Sequence, residues 1–356
     1  LAALNSEHRA TATFAQGLDD AEGLEVPGAV MSGRRQGLQY NGATRMSTGN
    51  DEDLSRGIQI QRCLALVGRR NLEPHPRAPE LFEALTGDRA HRADWDGLRW
   101  QGQGPAHHIV LEAIDAFEDL ATAQATFDGK CDKLRELAVE VDASLLGTSM
   151  HPWMHPSDAN AWPIDQDPAF HAMRRVFTGD RHALVNAQGL RPSIAFDSDE
   201  RFVRLFSVLR LVLPLMPAIA ASSPISEGRH RDLLDCRNVA RRDLFASMPV
   251  FARSLVPDAF ESLGAYEAEV LGPVTSTLDV VYDESALSPT QVCGHSLIVD
   301  REKGRIDVQV LGMQECLDAD MAMVAALLAV AGKLLQSETQ SPEAERQWQS
   351  TRLEEL

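Results

Sequence analysis

Residues 57–67, Gly-Ile-Gln-Ile-Gln-Arg-Cys-Leu-Ala-Leu-Val, restrict the fold more than any other stretch of the chain. Ile58, Ile60, Leu64 and Leu66 recur at even spacing, so in an extended chain they share one face, while Gln59 and Gln61 project together from the other. Such a strand needs a core to cover its apolar face, and a chain of 356 residues, 44% of them hydrophobic, is long enough to build one. Two same-face polar residues inside a strand line something. As glutamates they would suit a hard divalent cation carrying a nucleotide phosphate, because Mg²⁺ seeks anionic oxygen ligands. They are glutamines.

The formal net charge of -18 and the pI near 5.0 argue against nucleic acid or an anionic membrane surface as the main partner. Residues 229–242 are locally basic, but Asp232, Asp235 and Asp243 interleave, and the cluster reads as a solvated, ion-paired face. Cys63, Cys131, Cys236, Cys293 and Cys316 never form a Cys-x-x-Cys arrangement; they read as reduced thiols of a cytoplasmic protein without a zinc site. No charged segment followed by an apolar one opens the sequence, so secretion is not expected. The longest apolar run, residues 205–221, is broken by Arg210, Pro214 and Pro217 and is too short and interrupted for a membrane span.

Taken in order, residues 1–56 carry weak periodicity and read as an N-terminal extension, partly disordered or docking through Leu24, Val26, Ala29, Val30 and Met31. Residues 57–336 read as the main domain and 337–356 as a solvated acidic tail. Leu81, Phe82 and Leu85 mark a helix, and residues 107–112 a second strand ending in Glu112. The three-and-four spacing of Phe117, Leu120, Phe127, Cys131, Leu134 and Leu137 predicts an amphipathic helix over 117–141. A short strand starts at Ser144. His151 and His155 are each followed by proline, which argues for a structural turn rather than helical metal-ligand spacing. A third polar strand is expected over 183–196. Asp199 then caps a helix with the stripe Phe202, Leu205, Phe206, Leu209 and Leu213, and Ser222-Ser-Pro signals the start of the next element. Residues 296–299 and 305–311 read as a hairpin, followed by a last helix opened by Asp318 and Asp320.

Several of these stretches together resemble a known family. Gly57-Ile-Gln-Ile-Gln, Met150-His-Pro-Trp-Met, Leu213-Pro-Leu-Met-Pro-Ala-Ile-Ala-Ala-Ser-Ser-Pro, Leu234-Asp-Cys-Arg237 and Val310-Leu-Gly-Met-Gln-Glu-Cys316 are similar, in order and spacing, to the second-type glutamate-cysteine ligases, the carboxylate-amine ligases. The resemblance spans about residues 57 to 336. It implies an α+β, glutamine-synthetase-like fold in which an antiparallel sheet, covered by helices, forms a funnel for Mg²⁺, ATP and glutamate. Active members phosphorylate a carboxylate and let an amine displace the phosphate, which demands anionic metal ligands and cationic groups around the phosphoryl.

The charged positions that the resemblance implies are altered here. The family's two metal-binding glutamates fall on Gln59 and Gln61. In the second strand Gly104, Pro105, Ile109 and Ile114 occupy polar places, leaving Glu112 alone. The third keeps Asn186 and Gln188 but has Arg191-Pro-Ser193 where His-x-Asn is expected. The last has Asp307-Val-Gln309 in place of Glu-x-Arg, and the expected arginine falls near His295. Loss of one electrostatic contact at such a site costs about 10² to 10³ in rate, so several together should abolish turnover.

The leading expectation is therefore a pseudoenzyme, with no metal or cofactor, that associates with a protein partner such as an active paralogue, or with itself. The first alternative is an active ATP-dependent ligase with Mg²⁺, in which Glu112, Asp307, Arg191 and His295 take over metal and phosphate duties. The second is an ATP-independent binding module whose neutral funnel, lined by Gln59, Gln61, Asn186, Gln188 and Gln309, holds a small polar ligand.

Overall fold

The computed structural model describes residues 53–336 apart from 90, 164–165, 179–180, 247, 252–254 and 283–285. The expected extension (except 53–56) and the acidic tail lie outside the described residues.

The opening strand forms as its alternation dictates. β1 (Gln59–Gly68) buries Ile60, Leu64 and Leu66 on one side and leaves Gln59, Gln61 and Cys63 half-buried on the other. It runs through the middle of an antiparallel sheet. After α1 (Ala78–Thr86) come β2 (Arg92–Trp95), β3 (Leu98–Gly102) and β4 (His108–Ala113). The long helix α2 (Leu120–Glu140) starts three residues later than the spacing alone suggests, because the Asp119 side chain caps it by accepting from the Thr122 N–H. β5 (Ala143–Leu146) and α3 (Pro168–Val176) follow.

The third polar strand is shorter than expected. Residues 182–185 make a helical turn, and β6 runs only from Gly189 to Ala195. α4 (Asp199–Val212) carries the expected buried stripe, but its cap is Ser198, which accepts from the Arg201 N–H; Asp199 instead accepts from the Leu263 N–H. The Ser-Ser-Pro signal opens a small hairpin, β7 (Ile225–Ser226) and β8 (Arg229–His230), before α5 (Cys236–Ala246). β9 (Leu297–Asp300) and β10 (Arg305–Val308) form the expected hairpin. Leu311 leaves it for a separate strand, β11 (Leu311–Gly312), and α6 (Leu317–Leu335) ends the described chain.

The main sheet has the order β2-β3-β4-β1-β6-β10-β9, with β11 on β6 and β5 on β1, and every pairing is antiparallel. One face packs on α1, α2, α4 and α6 in a large core with Ile60, Phe82, Phe127, Phe206 and Val324. α3 and α5 contribute Val176, Leu244 and Phe245 to a second, smaller cluster. Between β10 and β11 the chain bulges. Asp307 pairs with Ser193 and Leu311 with Leu190, so three residues oppose two. Pro192 sits opposite the bulge and has no N–H to donate there. No helix among the described residues is long and apolar enough to cross a membrane.

Candidate functional site

The face of the sheet away from the large core borders a cavity of about 480 Å³. Its floor is set by strand alternation. β1 contributes Gln61 and Cys63, β4 His108 and Glu112, β6 Gly189 and Arg191, and β10 Arg305 and Asp307. α3 and α5 add Phe170, Arg237, Arg241 and Leu244 to the lining.

The carboxylates of the cavity stand beside cations, in two separate places. Glu112 faces Arg99 at 3.9 Å, while Asp307 and Asp300 both face the Arg305 Nε, at 3.5 and 3.9 Å. Between β4 and β10 stand β1 and β6, so Glu112 and Asp307 start three strand spacings apart, roughly 14 Å along a flat sheet. Asp300 is 3.4 Å from Lys303, and Asp167 is taken up by the backbone N–H groups of Gly104 and Phe170. Among the described residues no group of three His, Cys, Asp or Glu side chains is arranged to hold a metal ion. Mg²⁺ takes one or two carboxylates and fills the rest of its shell with water and phosphate oxygens; here Glu112 stands apart from Asp300 and Asp307, and every one of the three already faces an arginine, so the donor set does not fit the ion.

The glutamines have taken other duties. Gln59 accepts from the Arg305 guanidinium and donates to the Ile114 carbonyl at 3.2 Å, while Gln61 stands in register between Glu112 and Arg191. Gln309 lies in the bulge. Its carbonyl accepts from Arg237 at 3.1 Å and Arg241 at 2.7 Å, and its side-chain oxygen accepts from Arg241 at 2.6 Å. Asn186, Gln188 and His295 are not brought to the cavity. Asn186 ties down the His151 backbone through both its oxygen and its nitrogen, Gln188 accepts from the Ala65 N–H at 2.7 Å, and His295 is buried away from the cavity lining.

The expectation of a neutral funnel is corrected by two residues of the basic cluster. Arg231 and Arg242 do form the anticipated ion pairs, with Glu227 and Asp243. Arg237 and Arg241 instead turn inward and meet Arg191 at the cavity. Arg237 is buried and lies flat on the backbone of Gly189, where a Cβ would stand 2.3 Å from its Nη2. Burial lowers its pKa. Burial, then the charges of Arg237 and Arg191, push Arg241 down to about 9. The signal was present in the sequence: Arg237 and Arg241 share the three-and-four spacing of Ala240, Leu244 and Phe245, the buried side of α5, whereas Arg242 does not.

Cys63 and His108 were also missed. Burial raises the Cys63 thiol to about 11 against the pull of Arg237 and Arg191. His108 is buried against His107, ring centroids 4.6 Å apart, its Nε2 has no hydrogen-bond partner, and burial holds its pKa well below the usual histidine range. The turn reading of His151 and His155 agrees with the geometry: His151 accepts from the Met154 N–H, and His155 caps a short 3₁₀ turn over residues 156–158.

Comparison with known proteins supplies a family model, a relative and a fold. The model of glutamate-cysteine ligase family 2 matches residues 109–355. A protein of Archaeoglobus fulgidus described only as uncharacterized is 26% identical over 270 residues, covering 74% of this chain and 71% of its own. Among solved structures, glutamate–cysteine ligase from Francisella tularensis in complex with AMP superposes with a TM-score of 0.52 at 13% identity, over 85% of this chain and 71% of that one.

Proposed function

The chain belongs to glutamate-cysteine ligase family 2, and from that premise we propose that it is a catalytically silent member, which works by binding rather than by ATP-dependent ligation. The observation that carries this reading is the cavity face of β1. It presents Gln59, Gln61 and Cys63, with no carboxylate, and of the acidic groups that remain Glu112 lies beside Arg99 while Asp307 and Asp300 both lie beside Arg305. Phosphoryl transfer from a nucleotide needs metal ions to neutralise developing charge, and carboxylates that already face arginines are poor ligands for them.

Association with a protein partner, for instance an active paralogue, belongs to the same reading. Trp153, Leu233 and Leu234 support it: they are exposed, large and apolar, and lie around the β7–β8 hairpin, whose Gly228 N–H is accepted by the Pro152 carbonyl.

The test is turnover. With Mg·ATP, glutamate and a panel of amines, release of ADP or phosphate should stay at background. Release above background that depends on Glu112 or Asp307 would overturn the reading in favour of a rearranged ligase.

A further inference from the structure

We propose that the end of the cavity formed by Arg191, Arg237 and Arg241 is a metal-independent site for a phosphate monoester or free phosphate. The proposal rests on the silent reading above only in assigning binding, not transfer, to the cavity.

Three guanidiniums meet here without a carboxylate among them. Arg237 and Arg241 donate to the same Gln309 carbonyl, so they are adjacent, and Arg191 reaches toward them from β6. Asp235, the acid whose charge acts on both Arg237 and Arg241, is occupied by Asn238 at 2.6 Å and by the Ser223 hydroxyl. Gathering like charges in a partly desolvated cavity is unfavourable unless an anion joins them.

Two donors are left over. Arg237 is only 7% exposed, yet its Nε has no hydrogen-bond partner. Among the described residues the Arg191 side chain makes no hydrogen bond and no ion pair, and the residue is half-buried. The neutral Gln309 accepts from Arg237 and Arg241 but offers no charge.

A phosphate dianion fits this arrangement better than a carboxylate. It is compact, carries about two charges and three acceptor oxygens, and can face three guanidiniums at once, whereas a single carboxylate satisfies about one bidentate fork. The 480 Å³ cavity also leaves room for an organic group beyond the phosphate. Because arginine supplies the positive charge, no divalent ion is required.

Calorimetric titration of the full chain in EDTA, with ionic strength matched by sodium chloride, tests this. The arms are inorganic phosphate, glycerol 3-phosphate and succinate. Phosphate or its ester should bind saturably at one site; tighter binding of the ester identifies an ester site, and tighter binding of phosphate a site for the free ion. Arg191→Gln removes a side chain without hydrogen-bond or ion-pair partners, so the unliganded melting temperature should hold while affinity falls by roughly tenfold or more. Absence of saturable binding, succinate binding as tightly as phosphate, or unchanged affinity in Arg191→Gln would each overturn the proposal. None of these readouts depends on turnover, so ligase activity could refute the silent reading and leave the phosphate site standing, and the reverse.

Discussion

Arg62 and Asp320 form an ion pair inside the large core, Nη2 to Oδ2 at 2.5 Å, joining the apolar face of β1 to the first turn of α6. Arg62 also donates to the Cys131 sulfur on α2, and Asp320 accepts from the Gln314 N–H. The pair therefore fixes three elements beneath the strand that carries Gln59 and Gln61. Asp320→Ala strands a buried guanidinium and should cost about 3–5 kcal/mol in urea unfolding. Adding Arg62→Met removes the stranded charge and should recover much of that loss. A double variant as unstable as the single one would show that the cost lies in packing rather than in charge.

The backbone of this architecture was legible in residues 57–67, because strict alternation on a strand leaves little freedom in which side is buried. Arg62 was not, although it breaks the apolar face of that strand, because its partner is more than 250 positions away and no local pattern links the two. Arg237 and Arg241 were hidden differently. Neighbouring aspartates made the cluster look self-neutralising, and charge counting ignores which side of a helix each residue takes; the helical spacing separates the inward arginines from the outward ones. The register break between β10 and β11 had no visible cue until Pro192 was seen opposite it.

Stability should fall in mild acid through the buried histidines. Burial, then the nearby His151, holds His107 at about 4, and His108 lies well below the usual range. These rings stay neutral in the folded chain, whereas unfolding releases them to titrate near 6.5. The unfolded state thus binds more protons between about 6.5 and 4, and stability is lost as pH drops through that window, by about 1.4 kcal/mol per pH unit for each such histidine. Urea midpoints at pH 7 and pH 5 check the sign. His107→Gln should flatten the dependence by about one proton; an unaltered slope would remove His107 from the account.

Alanine at two glycines should disturb different things. At Gly102 a Cβ would stand 2.4 Å from the Trp162 ring, which is buried and packed against Phe82 and His91. The ring has nowhere to go, so Gly102→Ala should cost about 1–3 kcal/mol. At Gly189 the obstacle is the end of the Arg237 side chain, which can swing aside. Gly189→Ala should lose at most about 3 kcal/mol, the upper worth of the charged guanidinium's hydrogen bond to Gln309. It should nonetheless weaken phosphate binding as strongly as a change to Arg191 does. Unchanged phosphate affinity in Gly189→Ala would argue against the guanidinium as the group displaced.

Restoring acid to β1 should not restore a metal site. Gln61 is the register partner of Arg191 on one side and of Glu112 on the other, so a carboxylate introduced there lies directly opposite a guanidinium that has no other ion pair. Cross-strand partners have Cβ atoms about 4.5–5.5 Å apart, close enough for the new carboxylate to pair with Arg191. Gln59→Glu would meet Arg305 in the same manner, since Arg305 already donates to Gln59. Each introduced charge is neutralised by a resident arginine before a cation can recruit it. The Gln59→Glu, Gln61→Glu double variant should therefore show no saturable Mg²⁺ binding by calorimetry, and its affinity for phosphate should fall by roughly tenfold, because Arg191 is diverted. Adding Arg191→Gln to that variant discriminates further. If Mg²⁺ then binds, the arginine and not the strand geometry is what excludes the metal; if it does not, the separation of Glu112 from Asp307 across the sheet is the deeper obstacle.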